Sequence, residues 1–200
     1  MSAANIAVVL LAAGLSRRMG RDKLLMQLPS GQCLLEDRIR MIAVAGVVPY
    51  VAVPTNTRKA ELVAQYSAIP VPVPNSALGM GDSLSIAVRA LPAAIEGIMV
   101  LLSDLPDVTT DDLRSLMTRF DGTTILRATS QDGTPGHPVI FPVRYRSKLE
   151  ALSGDQGAKE LLISEAVELF PLPSQNAVLD LDTPEDWHSW EDHRIKLLRK

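Results

Sequence analysis

The sequence predicts an α/β fold, a mostly parallel sheet with helices on both faces. Three observations predict it. Apolar runs too short to be helices alternate with helix-period segments through residues 6–120. The runs "IAVVLL" (6–11) and "GIMVLLSD" (97–104) are apolar on both faces, as strands between two helical layers are. The 200 residues are 46% hydrophobic and 22% charged, enough to bury one sizeable core, so one domain spanning 1–200 is expected.

The elements follow in order. Strand 6–11 runs into the loop "LAAGLSRRMGRDK" (11–23), and "LLEDRIRMIAVAG" (34–46) has helical period. "VVPYVAVP" (47–54) reads as a strand, with Pro49 near its start, and "TRKAELVAQYS" (57–67) reads as a helix. "IPVPVPN" (69–75) is extended, and its prolines place it at an edge or the end of the sheet. "DSLSIAVRAL" (82–91) carries a helical stripe of Leu84, Val88 and Leu91. The strand 97–104 ends in an acid. "TTDDLRSLMTRF" (109–120) has a capping threonine, acids in its first turn and a stripe of Leu113, Leu116, Met117 and Phe120.

After Phe120 the rhythm changes. "TTILRATS" (123–130) and "HPVIFPV" (137–143) read as strands around the turn "DGTPG", adding mixed or antiparallel strands to the same sheet. A helix over 155–165, the segment "AVELFPLP" (166–173) and a short strand "AVLDLD" (177–182) come next. The last helix opens with Thr183 as N-cap, Pro184 at its first position, and Glu185 and Asp186 at its positive end.

A formal net charge of -3 speaks against a general nucleic-acid binder but leaves room for a local basic pocket. No apolar run reaches the ~20 residues that span a bilayer. The arginines follow the first apolar run rather than precede it, so that run is not read as a secretory leader. Cys33 is the single cysteine; it forms no internal disulfide, fits a reducing cytoplasm and reads as structural. His188 and His193 form no zinc pattern with a cysteine and read as surface.

Ligands of open parallel sheets bind beyond the carboxyl ends of the strands, where two loops carry chemistry. In the first, Leu11, Ala12, Ala13 and Gly14 open a turn whose small residues let a ligand approach the backbone N–H groups, and Arg17, Arg18 and Lys23 add positive charge. That combination suits a triphosphate. No Gly-Lys-Ser/Thr closes the loop as in a P-loop, and no G-x-G-x-x-G follows the first strand. In the second, "LLSDLPD", Asp104 stands just past a central strand, a position for a Mg²⁺ ligand or for a turn-capping acid. Asp180 and Asp182 alternate on "LDLD" and offer a second carboxylate; for Asp182 helix capping is the other reading. Gly79, Gly81 and Ser83 precede or open a helix and suit a base, a ribose or a phosphate, or simply a helix entry. Gly136 and His137, with Gly154, Asp155 and Gly157, sit in loops that suit a second, anionic substrate or serve structure alone.

Taken together, "LAAGLSRRMGRDKLL", "GMGDSLSIAV", "LLSDLPDV", "GTPGHPVIF", "GDQGAKELL" and "LDLDTPEDW" resemble the MobA-like NTP transferase family, and within it the molybdenum cofactor cytidylyltransferases. The resemblance spans nearly the whole chain. It implies a single-domain three-layer α/β/α sandwich with a Rossmann-like, nucleotide-diphospho-sugar transferase-like sheet. It implies Mg²⁺-dependent transfer of CMP from CTP to molybdenum-molybdopterin, a pterin phosphate, with release of pyrophosphate, and a molybdoenzyme as a possible recipient. By the same resemblance Arg18, Lys23 and Asp104 are catalytic, the opening loop binds the nucleotide, Asp104 holds the metal, and Asp182 is the second carboxylate ahead of Asp180. Guanylyl-transferring relatives carry "LAGG" where this chain has "LAAG", which favours CTP; cytidylyl-transferring members often have glutamine where this chain has Leu105. GTP-dependent guanylyl transfer, another acceptor, an NAD(P)H-dependent oxidoreductase acting on a small heteroaromatic substrate, and a non-catalytic cofactor chaperone stand as alternatives.

Overall fold

The computed structural model describes residues 5–74 and 79–198. One seven-stranded sheet runs through it in the order β3-β2-β1-β4-β6-β5-β7. The strands are β1 (Ile6–Leu11), β2 (Pro49–Pro54), β3 (Ile69–Val73), β4 (Gly97–Leu102), β5 (Ile125–Thr129), β6 (Pro135–Pro142) and β7 (Val167–Pro171). Only β6 runs against its neighbours, antiparallel to both β4 and β5; the other pairs are parallel. The helices are α1 (Leu34–Val44), α2 (Arg58–Val63), α3 (Met80–Arg89), α4 (Thr110–Arg119), α5 (Arg146–Glu150), α6 (Lys159–Ser164) and α7 (Pro184–Leu198).

The alternation of side chains along a strand divides the core in two. Ile6, Val8 and Leu10 of β1 pack with Leu35, Ile39 and Ile42 of α1, Leu113 and Leu116 of α4, and Trp187 and Trp190 of α7. Ala7, Val9 and Leu11 pack on the other face with Leu84, Ala87 and Val88 of α3, Leu149 of α5 and Leu161 of α6. The result is the expected three-layer sandwich. Pro70 and Pro72 lie on β3 at the sheet edge, where a missing N–H is tolerated.

Three features depart from the sequence-based reading. The segment 177–182 is not a strand. A turn, in which Val178 N–H and Leu179 N–H both donate to the Gln175 carbonyl, throws it back across the strand ends. The helix expected over 155–165 is confined to Lys159–Ser164, because 153–157 forms a loop against the entry of α3. Helix α5 was not expected at all; its five residues are too short to show a period. Residues 75–78 of the motif before α3 lie outside the described residues, as does the side chain of Arg17.

The strand order sets the position of the site. β1 and β4 are adjacent, with Leu11 opposite Leu102, and the strand order reverses there: the chain runs from β1 to β2 toward one edge of the sheet and from β4 to β5 toward the other, through α1 and α4 on the same face. A crevice opens at such a switch point. Because β6 is antiparallel, it begins at the edge where β4 ends, which brings Gly136 and His137 there. The return segment is tied to this edge by two backbone bonds, His137 N–H to the Ala177 carbonyl at 2.9 Å and Leu181 N–H to the Asp104 carbonyl at 3.2 Å. A Cβ on Gly136 would collide with the Ala177 carbonyl oxygen. Gly136→Ala is therefore expected to lower unfolding stability by about 1–3 kcal/mol, the usual range for overpacking, as measured by urea denaturation.

Candidate active site

The loop after β1 is shaped from within. Ser16 takes a left-handed conformation (φ 48°) and Gly20 another (φ 67°), folding 17–19 into one turn of 3-10 helix. The Asp22 carboxylate caps the next turn by accepting from Leu24 N–H at 3.2 Å, and Ser16 Oγ accepts from Lys23 N–H at 3.2 Å. These contacts bury Lys23 to 8% exposure and point it along the crevice.

Lys23 Nζ lies 2.9 Å from Asp104 Oδ2 and 2.7 Å from Asp182 Oδ1. Arg18, largely exposed, reaches the other oxygen of Asp182 at 2.5 Å. Three segments remote in sequence thus meet in one place. Burial works against the Lys23 ammonium, but the two carboxylates together outweigh it and hold its pKa above the ordinary lysine value. Asp104 Oδ1 is buried and has no partner among the described residues. A buried carboxylate oxygen left unpaired is costly, so it marks a place where a donor or a cation belongs.

These groups line a cleft of about 480 Å³. Leu11, Ala13, Gly14, Arg18, Lys23, Gly79, Ser83, Asp104 and Asp182 line it, together with Leu15, Ser16, Met80, Ser103 and Asp155. A Cβ at Gly14 would meet nothing within 4 Å, so the backbone there is open to a ligand. Two of the residues expected to bind the nucleotide do not line the cleft. Ala12 alternates to the opposite face and joins the core beneath α1. Gly81 is needed for packing: its N–H donates to the Gly154 carbonyl at 2.8 Å, and a Cβ would meet backbone oxygens at 2.7–2.9 Å. Gly79, in the left-handed region at φ 116°, is pressed against Gly154 in the same way while still bordering the cleft. Ser83 Oγ is occupied by donating to the Gly79 carbonyl at 3.1 Å.

His137 stands beside the cleft, with Nδ1 3.4 Å from the Val100 carbonyl. Burial depresses its pKa to about 4, so the ring is neutral at pH 7. Burial and the nearby Asp182 and Asp104 raise the pKa of Asp180. Asp186 is a capping residue: with Thr183 it forms reciprocal bonds at the start of α7, and it also accepts from Asp182 N–H at 3.2 Å. Trp190 Nε1–H donates to Asp107 at 2.8 Å, binding α7 to the loop that carries Asp104. Cys33 sits at the start of α1, half-buried and away from the cleft lining.

Sequence reading missed Lys59. It lies in the first turn of α2, is 3% exposed, and reaches the Gly14 carbonyl at 3.0 Å and Asp22 at 3.1 Å. A signal was present, since a cation in the first turn opposes the helix dipole and calls for a specific anionic or carbonyl partner.

The MobA-like NTP transferase domain matches residues 8–169. The chain is 30% identical over 193 residues to the purine catabolism protein PucB of Bacillus subtilis (strain 168), covering 90% of this chain and 92% of that protein. It is 30% identical over 188 residues to a probable molybdenum cofactor guanylyltransferase of Rhodopirellula baltica, covering 89% and 88%. Among solved structures, a homologue of Mycobacterium tuberculosis Rv0371c from Mycobacterium sp. strain JC1 superposes with a TM-score of 0.82 at 27% identity, over 96% of this chain and 98% of that one. The chain belongs to the MobA-like NTP transferase family.

The histidine beside the cleft makes stability depend on pH. Its folded pKa lies below the unfolded value, so its contribution is complete above about pH 6.5 and is lost as pH falls toward about 4. In thermal melts, wild type is expected to lose more stability than His137→Gln across that window, and the two should run parallel above it.

Proposed function

We propose that this chain transfers a nucleoside monophosphate from a nucleoside triphosphate to a phosphorylated pterin, molybdenum-molybdopterin, and releases pyrophosphate. The observation that carries this reading is the meeting of Lys23 with Asp104 and Asp182 in the cleft beyond β1 and β4. Lys23 and Arg18 offset Asp104 and Asp182, and Asp155 adds one more negative charge to the lining, whereas a triphosphate brings about four negative charges with it, so a further cation is required.

Asp104 and Asp182 fit a divalent ion, which we take to be Mg²⁺. The buried, unpartnered Asp104 Oδ1 is the donor such an ion would complete. Among the described residues no group of three or more His, Cys, Asp or Glu could hold a metal, which suits an ion that takes its remaining ligands from phosphates and water. When bound, the ion supplies charge neutralisation and polarisation of the phosphate.

The chain's own residues do the rest by position and charge. An acceptor phosphate oxygen attacks the α-phosphorus; the new P–O bond forms as the bond to the β-phosphate oxygen breaks, and pyrophosphate leaves with the electron pair. Lys23 exchanges carboxylate oxygens for phosphate oxygens when the nucleotide arrives, and Arg18, at the exposed rim, offsets charge on the leaving group. The backbone at Ala13 and Gly14 admits the phosphates. No side-chain nucleophile is called for. The edge formed by Gly136, His137 and Asp180 and the loop carrying Asp155 receive the acceptor.

CTP is the proposed donor. Ala13 is among the residues that line the cleft, at the position where the resemblance puts a glycine in guanylyl-transferring relatives. GTP is the second reading, favoured by relatives described as probable molybdenum cofactor guanylyltransferases. No helix among the described residues is long and apolar enough to cross a membrane, and we place the reaction in the cytoplasm.

Three outcomes test this. In thermal-shift titrations with Mg²⁺, CTP is expected to stabilise the protein more than GTP, ATP, UTP or NADPH; stabilisation by NADPH and by no triphosphate defeats the proposal. Asp104→Asn is expected to fold normally and to lower pyrophosphate release with molybdenum-molybdopterin by about 10³-fold. Lys23→Ala is expected to weaken nucleotide binding ~10–100-fold, the equivalent of one charge-assisted hydrogen bond, by calorimetry.

A further inference from the structure

We infer that Lys59 is a positioning residue: a buried ammonium that staples the two ends of the nucleotide loop together and so sets the place of Lys23. The inference rests on the transferase reading above and deepens it. Lys59 does not line the cleft. Its Nζ donates to the Gly14 carbonyl at 3.0 Å, where the loop begins, and pairs with Asp22 Oδ2 at 3.1 Å, where the loop ends. The other oxygen of Asp22 accepts from Leu24 N–H, and the turn so capped contains Lys23. One ammonium therefore fixes the spacing between the backbone that admits the phosphates and the lysine that meets the carboxylates.

The chemistry of the contact supports positioning over bulk stability. Lysine is costly to bury, and an apolar residue of similar shape in its place is often neutral or stabilising. Lys59 also sits in the first turn of α2, against the helix dipole. A residue disfavoured on both counts is explained by what it holds in register. Thr57 supports this placement: its side chain accepts from Ala60 N–H and its hydroxyl donates to the Pro54 carbonyl at 2.9 Å, fixing the start of α2 beside the end of β2. β2 is in turn the neighbour of β1, and Ala12 N–H donates to the Ala52 carbonyl.

The test compares wild type, Lys59→Met, Asp22→Ala and the double variant by three measurements: thermal melting, amide hydrogen exchange, and calorimetric titration with CTP and with GTP, each with MgCl₂. Methionine keeps most of the buried stem. For Lys59→Met we expect a melting temperature close to wild type, faster exchange confined to residues 14–24, and about tenfold or greater weakening of the tighter nucleotide. Asp22→Ala should weaken binding in the same direction, and the double variant should lose less than the sum of the single losses. Unchanged nucleotide affinity in the single variants overturns the positioning role while leaving the transferase reading intact. So does loss of protection spread evenly through the sheet, which would make Lys59 merely structural. Wild type that binds neither nucleotide overturns both. If Lys59→Met does not fold, Asp22→Ala decides: unchanged affinity there refutes the staple.

Discussion

One ammonium between two carboxylates is the interaction on which the rest depends. Asp104 and Asp182 would repel each other in a partly buried cleft, and Lys23 makes their proximity tolerable. Each member comes from a different part of the chain, so the cluster exists only when the sheet is assembled. The arrangement leaves Asp104 with one oxygen unspent. It satisfies the two acids without closing the site, and the cation holding them is itself suited to an arriving phosphate.

The architecture serves that meeting. The adjacency of β1 and β4 sets the loops carrying Lys23 and Asp104 side by side. Ser103 reinforces it, its hydroxyl donating to the Leu11 carbonyl at 2.7 Å. The reversed strand β6 and the turn after β7 then lead the chain back over the strand ends, so that Leu181 bonds to Asp104 and Asp182 falls beside Lys23. The tight contact of Gly136 with Ala177 lets the return segment lie flat against the sheet. Each device is local, and together they place a carboxylate from near the carboxyl terminus against a lysine from near the amino terminus.

The sequence made the layers legible, because buried strands such as 6–11 and 97–102 are apolar throughout and the helices between them carry stripes. It made Asp104 legible because an acid just past a buried strand has few reasons to be there, and Lys23 legible because it ends a cationic, glycine-containing loop that follows another such strand. What it concealed was set by tertiary contact. The alternation in "AVLDLD" resembles a strand, yet no neighbouring strand offers it a ladder, and two isolated backbone bonds hold it instead. Gly79 and Gly81 suited either a ligand or a helix entry in the sequence, whereas both are pressed against the loop of Gly154, where a Cβ would collide. Lys59 was concealed as well: a cation in the first turn of α2 asks for a partner, but nothing local reveals that Gly14 and Asp22 converge on it.

The two tryptophans of the chain, Trp187 and Trp190, both lie on α7, with ring centroids 6.1 Å apart. Trp190 is bonded to the loop of Asp104, and Trp187 lies five residues beyond Asp182. Nearly all of the protein's intrinsic fluorescence excited at long wavelength therefore arises from the one helix that joins the two acids. The fold thus concentrates its long-wavelength emission on a helix that adjoins both acid-bearing segments but stays outside the cleft lining itself.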